Sequence, residues 1–338
     1  MRELVIGDLH FGVKTNSISW LESQIKFFEK QIIPTVQSKN IDRIVFLGDL
    51  FDVRYSLNLQ IGIEVKNIIK KLATLFKKEI IFIAGNHDFY SPIEDFYNYN
   101  SYNLVFGDEF QKLYPNVKFI INEPYYDNER LYLPWYYTEN PKHFDELLYT
   151  YKFGKEVKSI YCHADLNNWP GARISSLKNC KIYAGHIHYI VENDLTNTYN
   201  IGAALALNFG DVNQKRYIYI IEDHNIVEKI ENIITPKFFR LVNDEIFTVS
   251  DEIFNNSYVQ LYISSTNIKK ANYIEQIKYL RETYVSSNIR INIVDDNLSI
   301  LSDINGINFN MNIDDYIENN IPNELKPKFE IIKKRINN

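Results

Sequence analysis

Ile44-Val45-Phe46-Leu47-Gly48-Asp49-Leu50-Phe51-Asp52 is a short, β-branched apolar run that stops at a glycine followed by an acid. Such a run suits a buried strand. The glycine lets the backbone turn sharply, so Asp49 is presented at the strand's carboxyl end. Outward from this stretch the same grammar recurs. Leu4-Val5-Ile6 leads into Asp8-Leu9-His10, Ile80 to Ile83 into Gly85-Asn86-His87-Asp88, Lys158 to Cys162 into His163, and Cys180 to Ala184 into Gly185-His186-Ile187-His188. Between the first three runs lie helical spacings, Leu21, Ile25, Phe28 and Ile32, then Ile61, Val65, Ile68, Leu72 and Leu75. Strand, helix, strand, helix, strand predicts an α/β (α+β) fold with parallel βαβ units. In such sheets ligands gather beyond the carboxyl ends of strands.

Five of the seven histidines (His10, His87, His163, His186, His188) fall in these strings, leaving only His143 and His224 elsewhere. That concentration points to one metal site. Imidazole, carboxylate and amide oxygen together suit borderline divalent ions, and a carboxylate can bridge two of them. A pair of ions about 3.5–4 Å apart clamps the attacking and leaving oxygens of an in-line phosphoryl displacement. Asp49, following Gly48 at the end of its apolar run, is the best bridge.

These ordered motifs resemble those of the calcineurin-like metallophosphoesterases, whose fold is a β-sandwich flanked by helices. The resemblance implies that Asp8, His10 and His188 complete one ion's ligands with Asp49, and that Asn86, His163 and His186 complete the other's. The fourth motif departs from the family's usual Gly-His, being Cys162-His163. Gly48-Asp49-Leu50-Phe51-Asp52-Val53-Arg54 is more similar to the SbcD-type (meiotic recombination 11-like) nucleases, particularly those of T-even phages, than to the protein Ser/Thr phosphatases. Asn200-Ile201-Gly202, Leu207 to Asp211 and Arg216-Tyr217-Ile218-Tyr219 resemble the stretch after the last metal motif in those nucleases.

The resemblance implies a Mn-dependent nuclease, with Mg as the other candidate ion, acting as a double-strand 3′-to-5′ exonuclease and single-strand endonuclease in recombination, repair and replication. It implies DNA as substrate, a homodimer, and an SbcC-like SMC-type ATPase as partner. His87, held by Asp88 and not bound to metal, is expected to protonate or stabilise the departing ribose oxygen. Arg54 and Asp52 are the candidate substrate contacts, the latter at a position where some relatives carry histidine. The alternative is a small-molecule or cyclic-nucleotide metallophosphodiesterase, which uses the same metals with an enclosed pocket.

A chain of 338 residues can hold a large domain and a smaller one. The expected organisation is a metallophosphoesterase domain over 1–240, a small α/β capping domain over 241–310, and a C-terminal helical segment over 311–338 that docks the ATPase. Two cysteines, Cys162 and Cys180, are too few for a disulfide scaffold and fit a reducing cytoplasm. With neither a signal pattern nor a bilayer-length apolar run, no membrane association is expected and a cytoplasmic location is. The formal net charge of −6 lacks the overall footprint of a nucleic-acid binder, so contact with DNA has to be local. Lys66, Lys70, Lys71, Lys77 and Lys78 form a candidate patch, more simply read as a solvated helix face.

Overall fold

A computed structural model of the chain describes residues 1–52, 54, 56–91, 99–139, 141–152, 155–167, 179–212, 214–254, 257–284 and 288–294. The helical segment expected over 311–338 lies outside these residues. The chain divides into two compact units, Met1–Phe238 and Phe239–Asn338.

The first unit carries two six-stranded sheets. One joins β1 (Arg2–Ile6), β2 (Arg43–Phe46), β3 (Glu79–Ile83), β4 (Val117–Ile120), β11 (Tyr217–Glu222) and β12 (Asn225–Glu231) in the order β12-β11-β1-β2-β3-β4. The pairs β1/β2, β2/β3 and β3/β4 are parallel, as the βαβ reading requires, and β11 returns antiparallel to β1. The other joins β5 (Tyr125–Asp127), β6 (Arg130–Leu133), β7 (Ser159–His163), β8 (Lys181–Gly185), β9 (Val191–Asn193) and β10 (Thr198–Asn200) in the order β5-β6-β7-β8-β10-β9. In it β6, β7, β8 and β10 are mutually parallel.

The period-2 alternation of each strand sorts its side chains between layers. Leu4, Ile6, Ile44, Phe46, Ile80 and Phe82 face a core shared with the covering helices. Val5, Val45, Leu47, Ile81 and Ile83 face inward, against a tyrosine from nearly every strand of the opposing sheet. Tyr125, Tyr132, Tyr161, Tyr183 and Tyr199 occupy paired positions on β5, β6, β7, β8 and β10. Their rings stack in sequence with centroids 5.7, 5.2, 5.4 and 5.3 Å apart. Buried phenols need partners. Tyr161 donates to the fully buried Glu3 at 2.7 Å and Tyr132 at 3.1 Å, while Arg130 Nε meets the same carboxylate at 2.7 Å.

The covering helices follow the predicted spacings. The first runs over Ile18–Phe27 and continues through a π turn at Phe28–Ile32 into Ile33–Ser38. The second spans Leu59–Leu75, capped by Asn58, whose side chain accepts from Gln60 N–H, and buries Ile61, Val65, Ile68 and Leu72. Lys66, Lys70 and Lys71 lie on its exposed face, with Lys71 paired to Glu29 and Lys78 beyond it to Asp42. A described helix after the third motif spans Ser101–Val105, capped by Asn100, which accepts from Asn103 N–H. It breaks at Gly107, whose φ of 63° ends the regular turn.

The β11–β12 turn falls on Asp223-His224, both at positive φ, and β12 ends at Glu231. The short strands β5, β9 and β10 had no apolar run to announce them. The third sheet joins β13 (Lys237–Val242), whose first two residues end the first unit, with β14 (Ser257–Ser264) and β15 (Asn288–Val294) of the second unit, β14 and β15 being parallel. Helix Ala271–Thr283 contributes Tyr273, Ile277 and Leu280 to its core.

Glu3 should be the most sensitive position outside the metal motifs. Glu3→Ala strands Arg130 beside a buried void and is expected to cost about 3–5 kcal/mol. Tyr183→Phe, which loses one phenol bond to His224 O, should cost about 1 kcal/mol. Urea unfolding monitored by near-UV circular dichroism would rank the two, and equal costs would contradict the packing described.

Candidate metal centre

Each motif lies just past a strand end of the first unit, and the loops are stitched to one another before any ion is considered. Asp49 O accepts from Leu9 N–H and His10 N–H at 3.2 and 2.9 Å, locking the first motif to the second. His163, the last residue of β7, donates Nδ1–H to Leu47 O at 2.7 Å. Its own carbonyl accepts from Thr138 Oγ1 at 2.8 Å. The Asp8 carboxylate accepts from His186 N–H at 3.0 Å. Asp49 Oδ1 accepts from His87 N–H at 2.8 Å.

This closeness explains the glycines. A Cβ on Gly85 would collide with Asp49 Oδ1 and the His163 ring, and one on Gly48, at φ 105°, with His163 Nδ1. Backbone strain collects here too, since His10, Asp49 and His186 all have positive φ (50°, 46° and 87°). Non-glycine residues stay there only when their surroundings over-determine them. The Cys162 departure in the fourth motif leaves β7 regular, with the thiol buried in the outer core of its sheet.

The seven residues expected as ligands come together. Among the described residues, Asp8, His10 and His188 form one potential cation-binding group, Asp49, His163 and His186 another, and a third, His10, Asp49 and His87, overlaps both and brings His87 to the edge of the centre. Asn86 Oδ1 lies 2.9 Å from His163 Nε2 and 3.0 Å from His186 Nδ1, completing the second group. Asp49 Oδ2 sits between the two, 3.6 Å from His10 Nε2 and 3.4 Å from His163 Nε2.

The donor chemistry calls for positive charge. Because His163 spends Nδ1–H on Leu47 O, its Nε2 lone pair points at two acceptors, Asn86 Oδ1 and Asp49 Oδ2. His10 Nε2 and His188 Nε2 likewise face each other at 3.0 Å. Lone pairs converging at these separations need a proton or a cation between them. Imidazole nitrogens and carboxylate oxygens on both sides fit two divalent ions.

The electrostatics agree. Burial alone would raise the Asp49 pKa, but His163, His10 and His87 hold it far below the usual carboxylate range. Burial works against a charged His163, yet Asp49 and Asp8 outweigh it and bring the pKa up to about 9. His186 is depressed to about 4 by burial and His163, and His188 to about 3 by burial and His10. The last two are therefore neutral and ready to donate lone pairs.

Three expected roles change. Asp88 does not hold His87. Its carboxylate accepts from Gly85 N–H at 2.9 Å, Phe51 N–H at 3.1 Å and Tyr102 OH at 3.3 Å, tying the third motif to the second. Burial and the nearby Asp49 raise its pKa to about 7. The His87 ring is held instead by Asp52 O, which accepts from Nδ1–H at 2.6 Å. The Asp52 carboxylate, expected as a substrate contact, lies 3.1 Å from His10 Nδ1 and so orients a ligand. Arg54 is half-buried and lines a cavity that His87 also lines.

Asn200 and Arg216 were noticed only as part of a resemblance. Asn200 Nδ2 donates to the carbonyls of Ile187 and Tyr189, and the fully buried Arg216 donates to that of His188 while pairing with Asp211. Three successive carbonyls, two in the last motif and one just past it, are thereby clamped. An arginine placed immediately before the apolar strand β11 is the sequence signal that could have flagged this.

A family profile of the calcineurin-like phosphoesterases matches residues 1–211. Two solved structures show a distant likeness, each covering 68% of this chain and 98% of its own. One is described as TT1561 of Thermus thermophilus, at 11% identity and a TM-score of 0.43, and the other has 12% identity and a TM-score of 0.42. No curated protein matches the chain.

Metal loading should be pH-dependent in a stated direction. With the His163 pKa raised to about 9, a proton occupies Nε2 below that pH and competes with the cation. Affinity for Mn or Zn should therefore rise with pH through neutrality and level off near 9. Loading at about pH 7 should release roughly one proton or more per protein. Titration calorimetry in buffers of different ionisation enthalpy measures both, and pH-independent affinity with no proton release would contradict the assignment.

Proposed function

The chain belongs to the calcineurin-like phosphoesterases, and from that premise we propose that it is the nuclease subunit of a DNA-end-processing complex, hydrolysing phosphodiesters with two divalent ions, Mn preferred. The observation that carries phosphodiester chemistry is the clustering of Asp8, His10 and His188 next to Asp49, His163 and His186, with His87 grouped with His10 and Asp49 between them. Two ions held there would supply Lewis acidity to the phosphoryl oxygens and an attacking water of lowered pKa.

The protein's own groups do the rest. Asp8, Asn86 and the four ligand imidazoles hold the charge in a fixed geometry, kept by the backbone bonds to Leu47 O, His186 N–H and His87 N–H. His87, fixed through Nδ1–H to Asp52 O, is left with Nε2 to pass a proton to the departing ribose oxygen. Four imidazoles among seven ligands favour Mn over Mg, which prefers oxygen and water.

DNA as the substrate is supported by the resemblance of the second motif and of the Asn200-to-Tyr219 stretch, whose Asn200 and Arg216 hold the last metal motif. Arg54 supplies a local cation beside the centre in a chain of net charge −6. The expected partners are an SMC-type ATPase and a second copy of the chain. Exposed Leu59 and Ile63 on one helix, with Leu104 on another, are apolar surface suited to such pairing. No described helix is long and apolar enough to cross a membrane.

With Mn, the protein should degrade end-labelled duplex DNA and lose this activity on chelation. Hydrolysis of bis(4-nitrophenyl) phosphate with DNA left intact would instead favour the small-molecule phosphodiesterase. His87→Asn should keep both ions bound yet lower kcat about 100-fold or more, whereas Asp49→Asn should lose metal. Metal analysis beside kinetics separates these outcomes, and metal loss in the His87 variant as severe as in the Asp49 variant would refute the division of roles.

A further inference from the structure

Beside His87 lies a cavity of about 380 Å³, within the usual range for small-ligand sites. Arg54 and His87 line it together with Leu57, Tyr90, Tyr99 and Leu104. Arg54 is the one full cation among its described lining residues. Tyr90, Tyr99 and Leu104 are 44%, 65% and 74% exposed, so part of each side chain reaches the surface beside the metal centre. Asn100, which caps the helix carrying Leu104, is buried and accepts from Asn103 N–H at 2.9 Å, so this wall is held in place by its own hydrogen bond.

His87 belongs to the groups that handle phosphate, Arg54 offers a guanidinium, and the remaining wall mixes aromatic and aliphatic side chains with serine and asparagine and with the buried Asp88, whose carboxylate is spent on the Gly85 and Phe51 N–H groups. A nucleotide has the matching parts, an anion, a neutral sugar and a flat π-system that stacks on aromatic side chains whatever its identity. The volume of about 380 Å³ is on the scale of a single small ligand.

We propose that this cavity seats a single unpaired nucleoside, the one attached to the phosphate undergoing hydrolysis, with its base against Tyr90 and Tyr99 and its phosphate between Arg54 and the metal centre. This rests on the phosphodiesterase reading and deepens it, because the nucleotide at the scissile bond then leaves the helical stack to react. Unstacking is easiest at a frayed end or in a single strand. The sugar oxygen joined to that phosphate is either O3′ or O5′, and the ligands of the test separate the two.

The test is calorimetric titration of the Mn-loaded full-length protein, which needs neither DNA cleavage nor turnover. Thymidine 3′-monophosphate, thymidine 5′-monophosphate, 2-deoxyribose 5-phosphate and inorganic phosphate are compared. At least one nucleotide should bind about tenfold or more tightly than the sugar phosphate. A Tyr90→Ala/Tyr99→Ala double variant should lose that preference while keeping its affinity for inorganic phosphate, and Tyr90→Phe/Tyr99→Phe should retain it. Equal affinity of both nucleotides and the sugar phosphate, or a preference untouched by the alanine pair, overturns the proposal. Nucleotide preference in a protein that leaves end-labelled DNA intact upholds the cavity and rejects the nuclease reading, and DNA cleavage without nucleotide preference does the reverse.

Discussion

A carboxylate removed from water and surrounded by imidazole is the constraint from which the site is built. Asp49 is almost wholly buried, sits at positive φ, and lies within 4 Å of a nitrogen on both His10 and His163. A buried charge of this kind is tolerable only with opposite charge beside it. Much of the surrounding architecture keeps that charge in place. Gly48 and Gly85 give it room, its backbone carbonyl organises the first motif, and its side chain orders the third through His87 N–H. The same atoms that attract cations also attract protons, so the two compete for one set of lone pairs.

The supporting shell is more extensive than the ligand set. Asp52 orients His10, Asp88 joins two loops, and Asn200 with Arg216 holds the backbone of the last motif. Ligands so supported keep their geometry when substrate arrives, which is how outer contacts tune metal sites generally. Dividing the labour this way leaves His87, tethered at one nitrogen only, as the group with a ring nitrogen to spare for proton transfer.

Much of this was legible before any coordinates. Strands such as Ile44 to Leu47 and Ile80 to Ile83 are continuous apolar text because both faces of their sheet are covered, and the polar residues that end them declare the site. What stayed hidden is what depends on contacts between distant segments. Asp88 follows His87 in the chain, and adjacency suggested a pair, but the turn sends its carboxylate toward Gly85 and Phe51. Asp52 was read as a candidate substrate contact because nothing in the sequence says that His10 packs beside it. The three-residue strand β9 is exposed throughout, with no periodicity to read, and β5 is hardly longer than its turn. Arg216 is written as a charge, and only folding reveals that it is fully buried.

The tyrosine stack between the sheets has an optical consequence. Five phenol rings on adjacent strands, each a little over 5 Å from the next and inclined by 13° to 28°, couple their electronic transitions along the whole second sheet. The rings are held in this chiral array only while the facing sheet, with Glu3 gripping two of their hydroxyls, is closed over them. If the sheets part while their strands survive, the near-ultraviolet dichroism of the array collapses and the backbone signal persists. The molecule thus contains its own gauge of sandwich closure, readable without a label, in the layer on which the metal-bearing loops stand.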